Sequence, residues 1–97
     1  MIVSADVLPG KEEEFNKWYD QHHIPNYSGK MPLLKSVKRL YGKRSQPQFL
    51  ALYEYASFED LKKSLASPES DLSGKDADSQ VGKLVKSFAF NTYTQIF

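Results

Sequence analysis

From Met1 to Leu8 the chain alternates, with Val3, Ala5 and Val7 on one side and Ile2, Ser4 and Asp6 on the other. A period of two predicts a strand. Pro9-Gly10 breaks it, and Lys11 to His23 reads as a helix. Glu12, Glu13 and Glu14 fall in its first turn, where the helix dipole favours anions. Phe15, Trp18, Tyr19 and His22 recur at the spacing of one buried face. Pro25 is expected to stop this helix, because the residue before a proline is pushed out of the α region. "NYSGKMP" follows as loop. Leu33 to Tyr41 is a second predicted strand, Gly42 to Gln48 a turn, and "FLALYEY", Phe49 to Tyr55, a third strand. Ser57 begins a second helix: in "SFED" the serine can accept from the backbone N–H of Asp60 as a capping box, and Phe58, Leu61 and Leu65 form the apolar edge. Residues 67–80, "SPESDLSGKDADSQ", are polar and read as loop, a candidate lid. Val81 to Ser87 is expected to add a helical turn or two, and Phe88 to Phe97 a last strand.

The order βαββαβ is ferredoxin-like: an α+β domain over residues 1–97, a four-stranded antiparallel sheet with helices on one face. The uncovered face of such a sheet should alternate to polar. Yet the third strand is apolar or aromatic on both sides. In the last, Phe88, Phe90 and Ile96 face one way and Ala89, Tyr93 and Phe97 the other. The predicted elements leave nothing to cover that second face, so a further copy of the chain is expected there, making a homodimer.

Composition narrows the function classes. The chain is 40% hydrophobic and 26% charged, as in globular domains, with no apolar run near the roughly 20 residues of a membrane span. "MIVSADVLPGK" lacks the basic and apolar regions of a signal peptide, and a cytoplasmic protein is expected. The absence of cysteine excludes disulfides, thiolate metal sites and thiol nucleophiles. Net charge +1 offers no global attraction to nucleic acid or anionic lipid. A basic stretch does hold Lys30, Lys35, Lys38, Arg39, Lys43 and Arg44 without an acid. An RNA-recognition domain of the same topology, however, needs K/R-G-F/Y-G/A-F-V-x-F/Y, and "QPQFLALYEY" lacks its glycine and basic residue.

The candidate chemistry is concentrated in "WYDQHHIP", Trp18 to Pro25, which holds both histidines of the chain. Helical neighbours point about 100° apart, so His22 and His23 cannot jointly chelate a metal. His23 has Tyr19 at i−4 and Asp20 at i−3. A carboxylate there could fix the imidazole tautomer and raise its basicity, preparing a general acid/base. Trp18 and His22 form a separate i, i+4 pair. The alternative stays open: a histidine in a last turn also suits the helix dipole alone, and Trp18 and Tyr19 suit a core. Tyr53 could line a cavity and Arg39 could bind a substrate carboxylate. No nucleophile triad, phosphate loop or metal spacing is present, so no cofactor is called for, although haem on His23 stays open.

"GKEEEFNKWYDQHHIP" and "LYEYASFEDLKKSLASPE" together resemble the EthD-like family, named for ethyl tert-butyl ether degradation, of the dimeric α+β-barrel superfamily. The first block carries its W-Y-D-x-x-H-I-P pattern at Trp18, Tyr19, Asp20, His23, Ile24 and Pro25. His22 stands where the pattern often has an acid. The resemblance implies a barrel formed by two subunits, with helices outside and a ligand cavity between the helices and sheet of each. Relatives in the superfamily include cofactor-independent monooxygenases, haem-degrading enzymes, polyketide cyclases and lactone isomerases, while EthD-like proteins have no settled reaction. The expectation is a small hydrophobic or aromatic ligand bound near His23 and Asp20, with Trp18, Tyr19, His22, Tyr53 and Arg39 about it. Oxidation, isomerisation or cyclisation is one outcome, and a non-catalytic binding or regulatory module the other.

Overall fold

A computed structural model describes residues 1–97. β1 (Ile2–Val7) leads through Pro9-Gly10, where Gly10 takes φ +80°, to α1 (Glu12–Trp18). A π-helical segment (Tyr19–His23) and α2 (Ile24–Asn26) follow without a break, then a 3₁₀ turn (Ser28–Lys30) after Tyr27. Then come β2 (Leu34–Tyr41), β3 (Phe49–Tyr55), α3 (Phe58–Leu65), α4 (Pro68–Asp78) and β4 (Val85–Asn91). The four strands are antiparallel in the order β2-β3-β1-β4, the ferredoxin-like arrangement expected. No helix is long and apolar enough to cross a membrane.

Register decides what each face buries. Val3 pairs with Ala51 and Phe90, and Ala5 with Phe49 and Phe88, all on the side that meets the helices. Phe15 from α1 enters this layer with only 1% of its surface exposed, against Tyr19, Phe49, Phe88 and Trp18. Opposite lie Ile2, Leu50 and Leu52, half-buried, and Leu40, half exposed. The last strand contributes less to that second face than its sequence suggests. Phe88 and Phe90 both turn to the helices, leaving Ser87, Ala89 and Asn91 outward.

Four expectations about elements need correction. Pro25 does not end the helix: Ile24 keeps helical angles (φ −64°, ψ −54°), and the turn ends at Tyr27 (φ −132°, ψ −78°). The π-helical segment restarts the hydrogen-bond ladder, so Pro25 falls in the first turn of α2, where a missing N–H matters least. Residues 67–80 are largely helix, not a lid loop. Ser67 caps α4 by accepting from the Ser70 N–H at 3.2 Å, and Pro68 sits at its first position. The stretch around Val81 is a turn with Gly82 at φ +86°, not a helix, and β4 already begins at Val85. It ends at Asn91, six residues before the predicted end, and the segment beyond has no regular structure.

Candidate functional site

The π-helical segment sets the site. The Ile24 N–H donates to the Tyr19 carbonyl, an i→i−5 bond, which brings side chains five apart onto one face. His23 therefore stacks on Trp18, ring centres 4.6 Å apart and 23° from parallel, while Tyr19 meets His23 edge-on at 5.0 Å. The expected Trp18–His22 pair is not formed. His22 lies outside, half exposed, and its nearest ring is Tyr27 at 5.5 Å.

Asp20 does not orient His23. Its carboxylate accepts from Arg39 Nη1 at 2.8 Å, and Asn16 Oδ1 accepts from Nη2 at 2.8 Å. The Arg39 guanidinium lies 4.6 Å over the Tyr19 ring, a cation–π contact. The partner of His23 is Asp76 of α4, whose Oδ2 is 2.7 Å from Nδ1, while its other oxygen is 3.2 Å from His22 Nε2. An ionised carboxylate only accepts, so Nδ1 carries the hydrogen and Nε2 keeps the lone pair. Burial lowers the His23 pKa below its ordinary value of 6.5, and the proximity of His22 adds to this, against the hydrogen bond and charge of Asp76. The ring is thus a neutral base at pH 7.

A cavity of about 270 Å³ lies between α4, the first helical segment and the sheet. Its polar corner is formed by His23, Tyr19, Tyr53 and Ser28. Tyr53 donates to Ser28 Oγ at 2.8 Å, and the Tyr19 and Tyr53 hydroxyls are 2.7 Å apart. Burial pushes both tyrosine pKa values up, so both stay protonated. Met31, Phe88 and Phe90 supply much of the apolar wall. Against them α4 presents only small groups, Ser70, Ser73, Gly74 and Ala77, and their size leaves the space open.

Of the residues singled out from sequence, His23, Tyr19 and Tyr53 meet at this cavity. Trp18 backs His23 without lining it, and Asp20, His22 and Arg39 lie outside it. Ser28 and Asp76 went unrecognised. A signal for Asp76 existed in Ser67-Pro68-Glu69, a helix start, followed by small residues at 70, 73, 74 and 77, the spacing of one helical face. No group of three or more His, Asp or Glu side chains could hold a metal ion.

His23 makes stability pH-dependent in a definite window. The unfolded chain protonates it near 6.5, while the folded protein holds it neutral to lower pH. The unfolded state therefore binds more protons as pH falls, and stability present above about pH 6.5 is lost below it. Urea unfolding midpoints should decline from about pH 6.5 towards 5 through His23, after a separate fall below about pH 8 from the Met1 α-amino group, whose pKa burial lowers from its ordinary 8.0. The lowered carboxyl of exposed Glu54, hydrogen-bonded by Lys38 and Ser36, acts separately, below its ordinary value of 4.5. In His23→Gln the decline between about pH 6.5 and 5 should vanish while the limbs from Met1 and Glu54 remain; its persistence would assign it elsewhere.

No family model and no curated protein sequence matches the chain. Among solved structures it is similar to an EthD family protein from Bacillus halodurans, with a TM-score of 0.69 and 23% identity over 94% of this chain and 96% of that one. At that identity the likeness establishes the shared fold. It is a likeness to the family that Trp18 to Pro25 resembles.

Proposed function

We propose that this chain is an EthD-like protein that binds a small hydrophobic molecule between α4 and the sheet, with His23 as general acid/base. The observation that carries this is the buried His23–Asp76 pair at the polar corner of a largely apolar cavity. Asp76 holds the imidazole in one tautomer, with a lone pair on Nε2, and Trp18 fixes the plane of the ring. A neutral base beside protonated tyrosines suits proton transfer to or from a bound molecule, a step shared by isomerisation, cyclisation and cofactor-independent oxidation. A binding module without turnover would use the same cavity. It would keep ligand affinity in His23→Gln and show no reaction in either form.

Gly74→Leu tests the cavity itself. Gly74 lies within α4 at ordinary helical angles, and an added Cβ would meet nothing within 4 Å. Leucine is the better helix former by roughly 0.8 kcal/mol, so the variant should melt no lower than wild type. Its side chain enters the cavity, and binding of a ring-sized apolar probe such as toluene should weaken by about tenfold or more, equivalent to roughly 1.4 kcal/mol. Trp18, the one tryptophan, stacked on His23, gives the fluorescence readout. Undiminished binding in Gly74→Leu would rule this cavity out as the site.

We also propose that a second copy covers the open sheet face around Ile2, Leu40, Leu50 and Leu52, giving the dimeric barrel that the resemblance implies. What supports it is an apolar centre on a face with no covering helix, rimmed by the Lys38–Glu54 ion pair at 2.8 Å. Light scattering should give twice the chain mass, and Leu52→Lys should halve it without loss of the circular dichroism spectrum. A wild-type monomer at high micromolar concentration would refute the dimer.

A further inference from the structure

The polar corner of the cavity has a definite donor and acceptor pattern, which limits what can bind there. Its lining contains no lysine, arginine, aspartate or glutamate, and its one charged group is the α-amino group of Met1, which donates to the Tyr53 carbonyl at 2.8 Å. A cationic ligand would meet only a charge of its own sign there, a heavy penalty, and an anionic one only an amino group already bonded to the chain. Two groups have fixed polarity. His23, 4% exposed, gives its Nδ1 hydrogen to Asp76, so the remaining ring nitrogen, Nε2, can only accept. Tyr53 spends its hydrogen on Ser28 Oγ, and Tyr19 must then donate to the Tyr53 oxygen. The hydrogen left over in this three-hydroxyl chain belongs to Ser28, 2% exposed, which is thus a donor. Ser70, Ser73 and Thr92 also line the space, but their hydroxyls can turn to donate or accept and impose no choice.

A bound group must therefore offer a hydrogen to His23 Nε2 and remain neutral. Ethers, ketones and esters have no hydrogen to give and would strip water from Nε2 without replacing it. An ammonium would donate but bring an unpaired charge. A hydroxyl donates through its hydrogen and accepts on its oxygen, which matches both fixed groups. The rest of the ligand meets Met31, Phe88, Phe90 and the small residues of α4, an apolar surround of about 270 Å³.

Resting on the assignment of this cavity as the ligand site, we infer that its ligand is a small neutral molecule with a hydroxyl on an apolar frame, the hydroxyl donating to His23 Nε2.

Calorimetric titration of the full chain with two matched sets decides this: phenol, anisole, toluene and benzoate, then cyclohexanol and methylcyclohexane. In at least one set the hydroxyl compound should bind about tenfold tighter than its methyl counterpart, although the methyl compound gains more on leaving water. Benzoate should bind most weakly. In His23→Phe, which keeps a ring in place but removes the acceptor, the preference for the hydroxyl should disappear. If that variant does not fold, the wild-type series decides alone. Toluene or anisole binding as tightly as phenol, with methylcyclohexane matching cyclohexanol, would overturn the hydroxyl assignment and leave the cavity standing. Benzoate binding best would do the same. If none of the six binds, or all bind equally to Gly74→Leu, the cavity assignment itself falls.

Discussion

Alanine at position 15 is expected to destabilise the protein by about 3–5 kcal/mol, the range for emptying a buried phenylalanine site. Phe15 is almost wholly buried and touches four aromatic rings: Trp18, Tyr19, Phe49 and Phe88. These rings are tilted or edge-on to it at centre distances of 5.3–6.5 Å, an arrangement that depends on the filled volume. The Arg39 guanidinium also rests 5.4 Å from its ring centre, so the cavity left behind cannot collapse without disturbing an ion pair. Domains of this size have a total stability of roughly 5–15 kcal/mol, and each kilocalorie shifts the melting temperature by about 4–8 °C. A fall of at least 12 °C is therefore expected in a thermal melt, using the lower figures of both ranges. The exposed Phe58 provides the contrast, since Phe58→Ala should stay within about 0.5 kcal/mol of wild type. Equal losses in the two variants would mean that Phe15 is not the centre of the core.

Asp76→Ala is expected to lower stability by about 1–3 kcal/mol, the cost of leaving a buried donor unsatisfied. The donor is the Nδ1–H of His23, in a ring with only 5% of its side chain exposed. The same carboxylate accepts from His22, so the variant also removes a side-chain tie between α4 and the π-helical segment. Because α4 forms the wall of small residues, ligand binding should weaken along with stability. Asp76→Asn separates the two roles of the carboxylate. Its amide oxygen can still accept from Nδ1, so most of the stability should return. The negative charge that raises the His23 pKa is gone, however, so the imidazole should titrate at lower pH than in wild type, as read from its ring proton shifts by NMR. If Asp76→Ala changed the urea midpoint by no more than a surface substitution does, the His23–Asp76 pair would not exist in solution.

Much of the fold was legible because its causes are local. The period-two alternation of β1 and β3, the first-turn acids of α1 and the Ser57 cap each act within a few residues, and all appear as expected. Where the expectation failed, the deciding interaction was not local. Residues 67–80 lack an apolar period because the face that α4 turns inward borders a cavity, which asks for small side chains rather than large ones. Asp20 was the natural partner for His23 at helical spacing. The π-helical segment changed that spacing, and Arg39, nineteen residues away in sequence, took the carboxylate.

By itself, then, the sequence determined the ferredoxin-like order of strands and a first helix with Phe15 on its buried face, and it made His23 the candidate histidine. Hydrophobic periodicity, capping and helix geometry are written in neighbouring residues and suffice for those. Only the tertiary structure decided that His23 stacks on Trp18, that Asp76 is its partner from 53 residues away, and that Tyr19, Tyr53 and Ser28 share one hydroxyl network. Those pairings depend on a single i→i−5 turn and on how α4 packs over the sheet. Both follow from which buried polar groups can be satisfied at once, a condition on the whole molecule rather than on any short stretch of chain.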